Sequence, residues 1–235
     1  MEESIFQHVR NRIEKAEIIT SPYPHFYIDQ VFPEDYYEEV LKNIPERGFF
    51  DPSLVADSER FTLPLTGGEI ERLPFMQCLF WTHFANGMLG KPLRDLLLKK
   101  FQGSIRERFQ DQFNMLKFGT VAELFQDKTN YSIGPHTDHP DKVVTLLFYL
   151  PKNREDAPLG TSVYVPHDPS FECKDGRHHP FEPFQKVYTA PFMPNSAFCF
   201  VRSDRSFHGV EPIIQEKVER NLLNYFIRWS HVSVC

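Results

Sequence analysis

The sequence has no apolar stretch near the roughly 20 residues that a membrane-spanning helix needs. Its first residues, Met1-Glu2-Glu3-Ser4, are acidic, and no apolar signal core follows them. A cytoplasmic location is therefore expected. Long basic runs are also missing. Lys and Arg number 26 against 32 Asp and Glu, a net charge of −6, whereas a protein built around a nucleic-acid backbone presents a basic face. Neither a membrane nor nucleic acid is expected as a partner, and oligomeric state is not readable. Cysteine is sparse: Cys78, Cys173, Cys199 and Cys235 lie far apart with no CxxC pair. That spacing argues against a disulfide framework and a thiolate zinc site. The acidic excess shows no EF-hand spacing and reads as solvated surface. There is no internal repeat and no low-complexity tract.

What is present supports a substantial core. The chain is 41% hydrophobic and 14% aromatic, with 23 Phe, a composition that argues against disorder. Its 235 residues fit one domain, 1–235, because sandwiches and barrels of about 200–250 residues occur as single units. Ile5, Phe6, Val9 and Ile13 recur at helical spacing and predict a helix over 3–17, broken by Ser21-Pro22-Tyr23-Pro24. His25 to Val31 reads as a short strand. Pro33 then opens a helix with Tyr36, Tyr37, Val40, Leu41 and Ile44 on one face. Residues 46–72 read as a long loop with room for one short strand. Two helices are expected at 74–86 and 92–100. After Gly103, short apolar runs alternate with Gly/Pro turns, at 113–118, 143–150, 162–165, 197–201 and 222–229. The fold class is α+β: a mainly helical part, 1–110, packs on one side of a jelly-roll core at 111–230.

Two stretches carry the chemistry. The first is Gly134-Pro135-His136-Thr137-Asp138-His139-Pro140, ahead of a strand ending Phe-Tyr-Leu-Pro. The second is Ser206-Phe207-His208-Gly209-Val210, ahead of the strand that begins Arg220-Asn-Leu-Leu. Two imidazoles and a carboxylate suit one face of an iron octahedron and leave three positions open. Ligands two apart on an extended strand project to the same side, and a jelly roll can bring a distant strand alongside. An HxD alone is weak evidence, and a distant His adds little in a chain with ten of them; the surrounding grammar is what makes the pattern specific.

Over roughly residues 112–230 the sequence resembles the 2-oxoglutarate/Fe(II) oxygenase superfamily, near its prolyl-hydroxylase-like branch. The resemblance implies a double-stranded β-helix in which His136, Asp138 and His208 bind Fe(II). It implies 2-oxoglutarate as cosubstrate, O2 as oxidant, and succinate and CO2 as products. It makes Arg220 the anchor for the far carboxylate of 2-oxoglutarate, a role suited to a planar guanidinium. Arg220 lies twelve residues after His208, slightly longer than the family spacing, so Lys217 and Arg228 stay as alternatives. Tyr149 matches a family tyrosine that hydrogen-bonds the same carboxylate. Thr145 and Leu147 share its face by alternation, and Tyr131 or Met115 is placed at the pocket wall. Halogenating relatives lack the carboxylate that Asp138 supplies, so hydroxylation or a related oxidation is expected.

Around these residues, His139 and Asp141 read as loop polar groups, and His178-His179 as part of a solvated loop. Arg202, Asp204 and Arg205 read as a turn in which Arg205 meets either a substrate anion or a surface acid. Segments 46–72 and 166–186 are candidates for a lid. The substrate is expected to be a small molecule, with amino acids and natural-product intermediates among the candidates. Two other functions compete: a cupin-like metal dioxygenase without 2-oxoglutarate, and a non-catalytic jelly-roll binding module.

Overall fold

Strand alternation decides which face each core residue serves, and a computed structural model, describing residues 2–53 and 59–231, shows the outcome. Eight strands in chain order form the jelly roll: β4 (Leu116–Lys128), β5 (Ile133–His136), β6 (Lys142–Tyr149), β7 (Thr161–Pro166), β8 (Phe184–Ala190), β9 (Ser196–Val201), β10 (His208–Val210) and β11 (Glu219–His231). They divide between two antiparallel sheets. The smaller runs β5-β10-β7-β8. The larger runs β9-β6-β11-β4 and is extended at both edges by strands from the N-terminal part. β1 (His25–Asp29) pairs with β9. β3 (Arg60–Pro64) pairs with β4, followed outward by β2 (Asp51–Pro52).

The larger sheet is buried on both faces, so its strands read as near-continuous apolar runs. On β6, Val144, Leu146 and Phe148 point to the helices, while Leu147 and Tyr149 point between the sheets. On β11, Leu223, Tyr225 and Ile227 take the helical side, and Leu222 takes the inner side. The helices are α1 (Glu2–Lys15), α2 (Glu34–Lys42), α3 (Phe75–Met88), α4 (Lys91–Lys100) and α5 (Gln102–Phe109). α1 buries Ile5, Val9 and Ile13, four residues apart. Aromatic rings fill the seam between sheet and helices: Phe32 stacks on Phe148 at 5.3 Å, and Phe26 on Phe101 at 5.5 Å.

Three sequence expectations need correction. Residues 46–72 are not simply a loop: β2, β3 and short 3-10 turns at Arg47–Phe49 and Glu69–Arg72 occupy them, while residues 54–58 lie outside the described part. α5 follows α4 almost directly; Gly103 in its first turn reads as a breaker, but burial of Ile105 and Phe109 holds the helix. Residues 113–115 belong to a 3-10 turn, and the strand expected there starts at Leu116 and runs for 13 residues.

Phe148 is fully buried against Phe32. Phe148→Ala should lower unfolding free energy by about 3–5 kcal/mol in denaturant titration. A loss below about 1 kcal/mol would mean that the helix–sheet seam closes over the gap without cost.

Candidate metal centre and cavity

His136 is the last residue of β5 and His208 the first of β10, and the two strands pair with these residues directly opposite each other. Their rings lie 4.3 Å apart between centroids. Asp138 follows in the segment just past β5, so the HxD pair straddles the strand end rather than lying within the strand. One donor atom from each of His136, Asp138 and His208 falls within 4.8 Å of the others. Gly209 leaves room for this pairing: a Cβ there would sit 2.6 Å from the Ile133 carbonyl oxygen of β5.

Backbone contacts set the imidazole tautomers. His136 Nδ1 donates to the Gly134 carbonyl at 3.0 Å, and His208 Nδ1 to the Ser206 carbonyl at 3.0 Å. Both rings therefore keep the Nε2 lone pair for a metal. Burial, with repulsion between the two imidazoles at His136, lowers both from the usual histidine range, so both are neutral and suited to ligate a metal. Burial alone would raise Asp138. The Lys142 ammonium and hydrogen bonds outweigh that and hold its carboxyl well below the ordinary range. Lys142 Nζ donates to Oδ1 at 2.6 Å and Thr145 Oγ1 to Oδ2 at 2.5 Å; each oxygen retains lone-pair capacity for a cation.

Lys142 and Thr145 are three apart on one strand yet both reach Asp138. The register of β6 against β11 slips here: Ile227 faces Val144 and Arg228 faces Lys142, which leaves Val143 as the extra residue. This bulge re-aims Lys142 toward the cavity. The segment after β5 is fastened from several sides. Thr137 Oγ1 donates to the Cys173 carbonyl, Arg202 Nε to the Asp138 carbonyl at 3.2 Å, and Trp229 Nε1 to the Pro140 carbonyl. Arg202 is buried and also ion-pairs with Asp204, whereas Arg205 is exposed and does not line the cavity.

The cavity in front of the triad has a volume of about 340 Å³. Arg220, from β11, lines it and is 1% exposed. Its Nε donates to the Leu159 carbonyl and its Nη1 to Asp127 Oδ2, both at 2.6 Å, while its buried Nη2 has no partner among the described residues. Tyr131 lines the same cavity with a buried hydroxyl that likewise has no partner among the described residues. Thr145 and Leu147 also line it. Tyr149 does not: its hydroxyl oxygen accepts from the Thr161 N–H at 3.2 Å, and burial pushes its pKa up to about 12. Of the alternatives to Arg220, Arg228 lines the cavity but pairs with Asp141 at 3.3 Å, and Lys217 sits in the turn before β11. Met115 is exposed and away from the cavity.

The insert 166–186 is stitched to the site. The His179 N–H donates to the Pro135 carbonyl, and a Cβ on Gly134 would come within 2.0 Å of the His179 carbonyl oxygen. The adjacent histidines point apart. His179 packs among Phe171, Phe184 and Phe207, whereas His178 lines the cavity 4.6 Å from the His136 ring. His178 is therefore not simply part of a solvated loop. Two more cavity residues carry no mark in the sequence: Lys142 depends on a bulge, and Arg60 lies in what reads as a loop. Nor does Asp127, which is buried behind the lining, binds both Arg60 and Arg220, and lies in an unannounced stretch of β4.

Arg202→Met would leave the Asp138 and Lys174 carbonyls without their donor. It should destabilise the fold by about 1–3 kcal/mol and weaken Co(II) binding in a spectroscopic titration. Unchanged Co(II) affinity would show that the other fastenings suffice to hold Asp138.

No family model matches the sequence, and no curated protein matches it. Solved structures do. A prolyl-4-hydroxylase from Pseudomonas putida superposes with a TM-score of 0.55 at 14% identity, covering 94% of this chain and 98% of that one. The non-haem 2-oxoglutarate-dependent epimerase SnoN, from nogalamycin biosynthesis, gives 0.53 at 12% identity over 96% and 82%. A 2OG-Fe(II) oxygenase family oxidoreductase from Burkholderia pseudomallei gives 0.50 at 11% over 95% and 89%. Two antiparallel sheets, a wrapper of helices and these superpositions together give this chain the jelly-roll fold of the 2OG-Fe(II) oxygenases.

Proposed function

We propose that this chain, read as one domain over 1–235, is an Fe(II)/2-oxoglutarate-dependent dioxygenase that hydroxylates a small molecule. The observation that carries the reading is one cavity with two kinds of wall. One wall offers His136 Nε2, His208 Nε2 and the Asp138 carboxylate. Another offers Arg220, with a buried donor that has no acceptor among the described residues.

The residues fit the groups. Two neutral imidazoles and one ionised carboxylate form the facial donor set used by non-haem iron(II) and leave open positions for cosubstrate and O2. A buried guanidinium with a free N–H calls for an anionic partner, and the far carboxylate of 2-oxoglutarate supplies one. Bound iron and 2-oxoglutarate together would supply oxidation of a substrate C–H bond by O2, with release of succinate and CO2. The chain's own contribution is orientation and dryness. Backbone carbonyls fix the imidazoles, Thr145 and Lys142 orient Asp138, and Leu147, Phe200, Val210 and Leu222 line the cavity with apolar surface. The presence of Asp138 favours hydroxylation over halogenation. The cavity suits a small-molecule substrate, and His178, Asn224, Phe226 and Arg228 are the lining residues available to meet it.

A cupin-like site without 2-oxoglutarate has one observation in its favour, the third imidazole of His178 beside His136. Anaerobic titration of the Fe(II)-loaded protein with 2-oxoglutarate separates the readings. The weak visible charge-transfer band of the chelate should appear, and should vanish in His208→Ala. Iron binding with no band would favour the cupin or binding-module reading. Asp138→Ala should abolish succinate formation coupled to substrate oxidation; full coupled turnover by that variant would sink the ligand assignment.

A further inference from the structure

Asp127 is 0% exposed and is shared by two guanidinium groups. Arg60 meets it side-on, Nε to Oδ1 at 2.6 Å and Nη2 to Oδ2 at 2.9 Å, and Arg220 Nη1 meets Oδ2 at 2.6 Å. One buried carboxylate cannot satisfy every donor of two guanidinium groups, and the shortfall costs most at Arg220, the more deeply buried of the two. Glu123 also lines the cavity and adds a second negative charge felt by Arg60, without a direct ion pair to it among the described residues. Arg60 is held on both faces as well, its guanidinium 4.2 Å from the Phe125 ring centroid and 4.4 Å from that of Tyr131.

Two buried donors at this end of the cavity have no protein acceptor among the described residues, Arg220 Nη2 and the Tyr131 hydroxyl, and the partly exposed Arg60 lines the cavity beside them, using Nε and Nη2 on Asp127. We propose that Arg60 is a second carboxylate-binding residue. With Arg220 and Tyr131 it clamps the far carboxylate of a dicarboxylate cosubstrate, and Asp127 is the positioning residue that fixes both guanidinium groups. This rests on the oxygenase reading and adds to it a residue from β3, outside the eight strands of the jelly roll. The clamp makes the site selective for a 2-oxo acid with a second carboxylate over one without. A purely structural role for Arg60, tying β3 to β4 through its cross-strand partner Asp127, predicts no such selectivity.

The test uses the full chain, loaded with Fe(II) without oxygen and titrated with 2-oxoglutarate and, separately, with pyruvate, which keeps the chelating 2-oxo acid but lacks the far carboxylate. Arg60→Gln leaves the Arg220–Asp127 pair in place. It should raise the Kd for 2-oxoglutarate by about tenfold or more and leave that for pyruvate within about twofold. Arg60→Lys keeps a charge without the fork and should give an intermediate loss for 2-oxoglutarate alone; it also serves as the test if the Gln variant does not fold. A 2-oxoglutarate Kd within about twofold of wild type, or equal weakening for both acids, overturns the clamp while leaving the oxygenase reading intact. A wild-type protein that forms no chelate with either acid overturns that reading and the clamp with it.

Discussion

The antiparallel pairing of β10 with β5 sets His208 opposite His136, and the candidate metal centre depends on that register. A slip of one residue on either strand would send an imidazole to the far face of the sheet. The pairing is guarded by shape more than by hydrogen-bond count, because β10 has only three residues. Gly209 packs too closely on the β5 backbone to admit a side chain, and Gly134 is closed from its other side by the His179 carbonyl. Around this fixed pair Asp138 and its segment are positioned by contacts from β6, from Arg202 just past β9, from β11 and from the 166–186 insert. A feature only seven residues long in sequence is thereby fastened from several distant parts of the chain.

The electrostatics of the cavity divide along the same lines. Near the imidazoles, Asp138 is the single acid of the triad and is balanced by Lys142. Where β4 and β3 meet, the order reverses: Asp127 is one acid between two guanidinium groups. One wall is thus suited to a metal cation, and the other holds a buried guanidinium donor without a protein acceptor among the described residues, suited to an anion. A molecule that chelates a cation at one end and presents a carboxylate at the other matches both.

The triad was legible in the sequence because its signal is local: Gly-Pro-His-Thr-Asp before a strong strand, and His-Gly-Val before another. The helices α1 to α4 and the strands β6, β9 and β11 were legible because apolar periodicity marks them. β4 was read only near its start, since Gly119, Glu123, Gln126 and Asp127 weaken its strand character; pairing with β11 along its full length and with β3 holds it instead. That blind stretch is also where Asp127 lies. Arg60 sits 67 residues away in sequence, inside a segment whose polar composition resembles a loop, so nothing local ties it to the cavity. His178 was read as solvent-facing because face alternation cannot be followed through an irregular insert. Lys142 depends on a bulge, and a bulge is a property of two strands together.

One topological feature bears on how the protein is made. β11 comes last among the described strands but lies in the interior of the larger sheet, between β6 and β4. Until residues 219–231 are available, those two strands have no neighbour on the sides they will share with it. Such open edges are templates for pairing with other chains, and contacts of this sequence separation close slowly. The nascent chain therefore carries the 13-residue β4 with one edge uncapped for about a hundred residues of synthesis. The final segment completes the sheet as a wedge does, in a single late step that also brings Arg220 against Asp127.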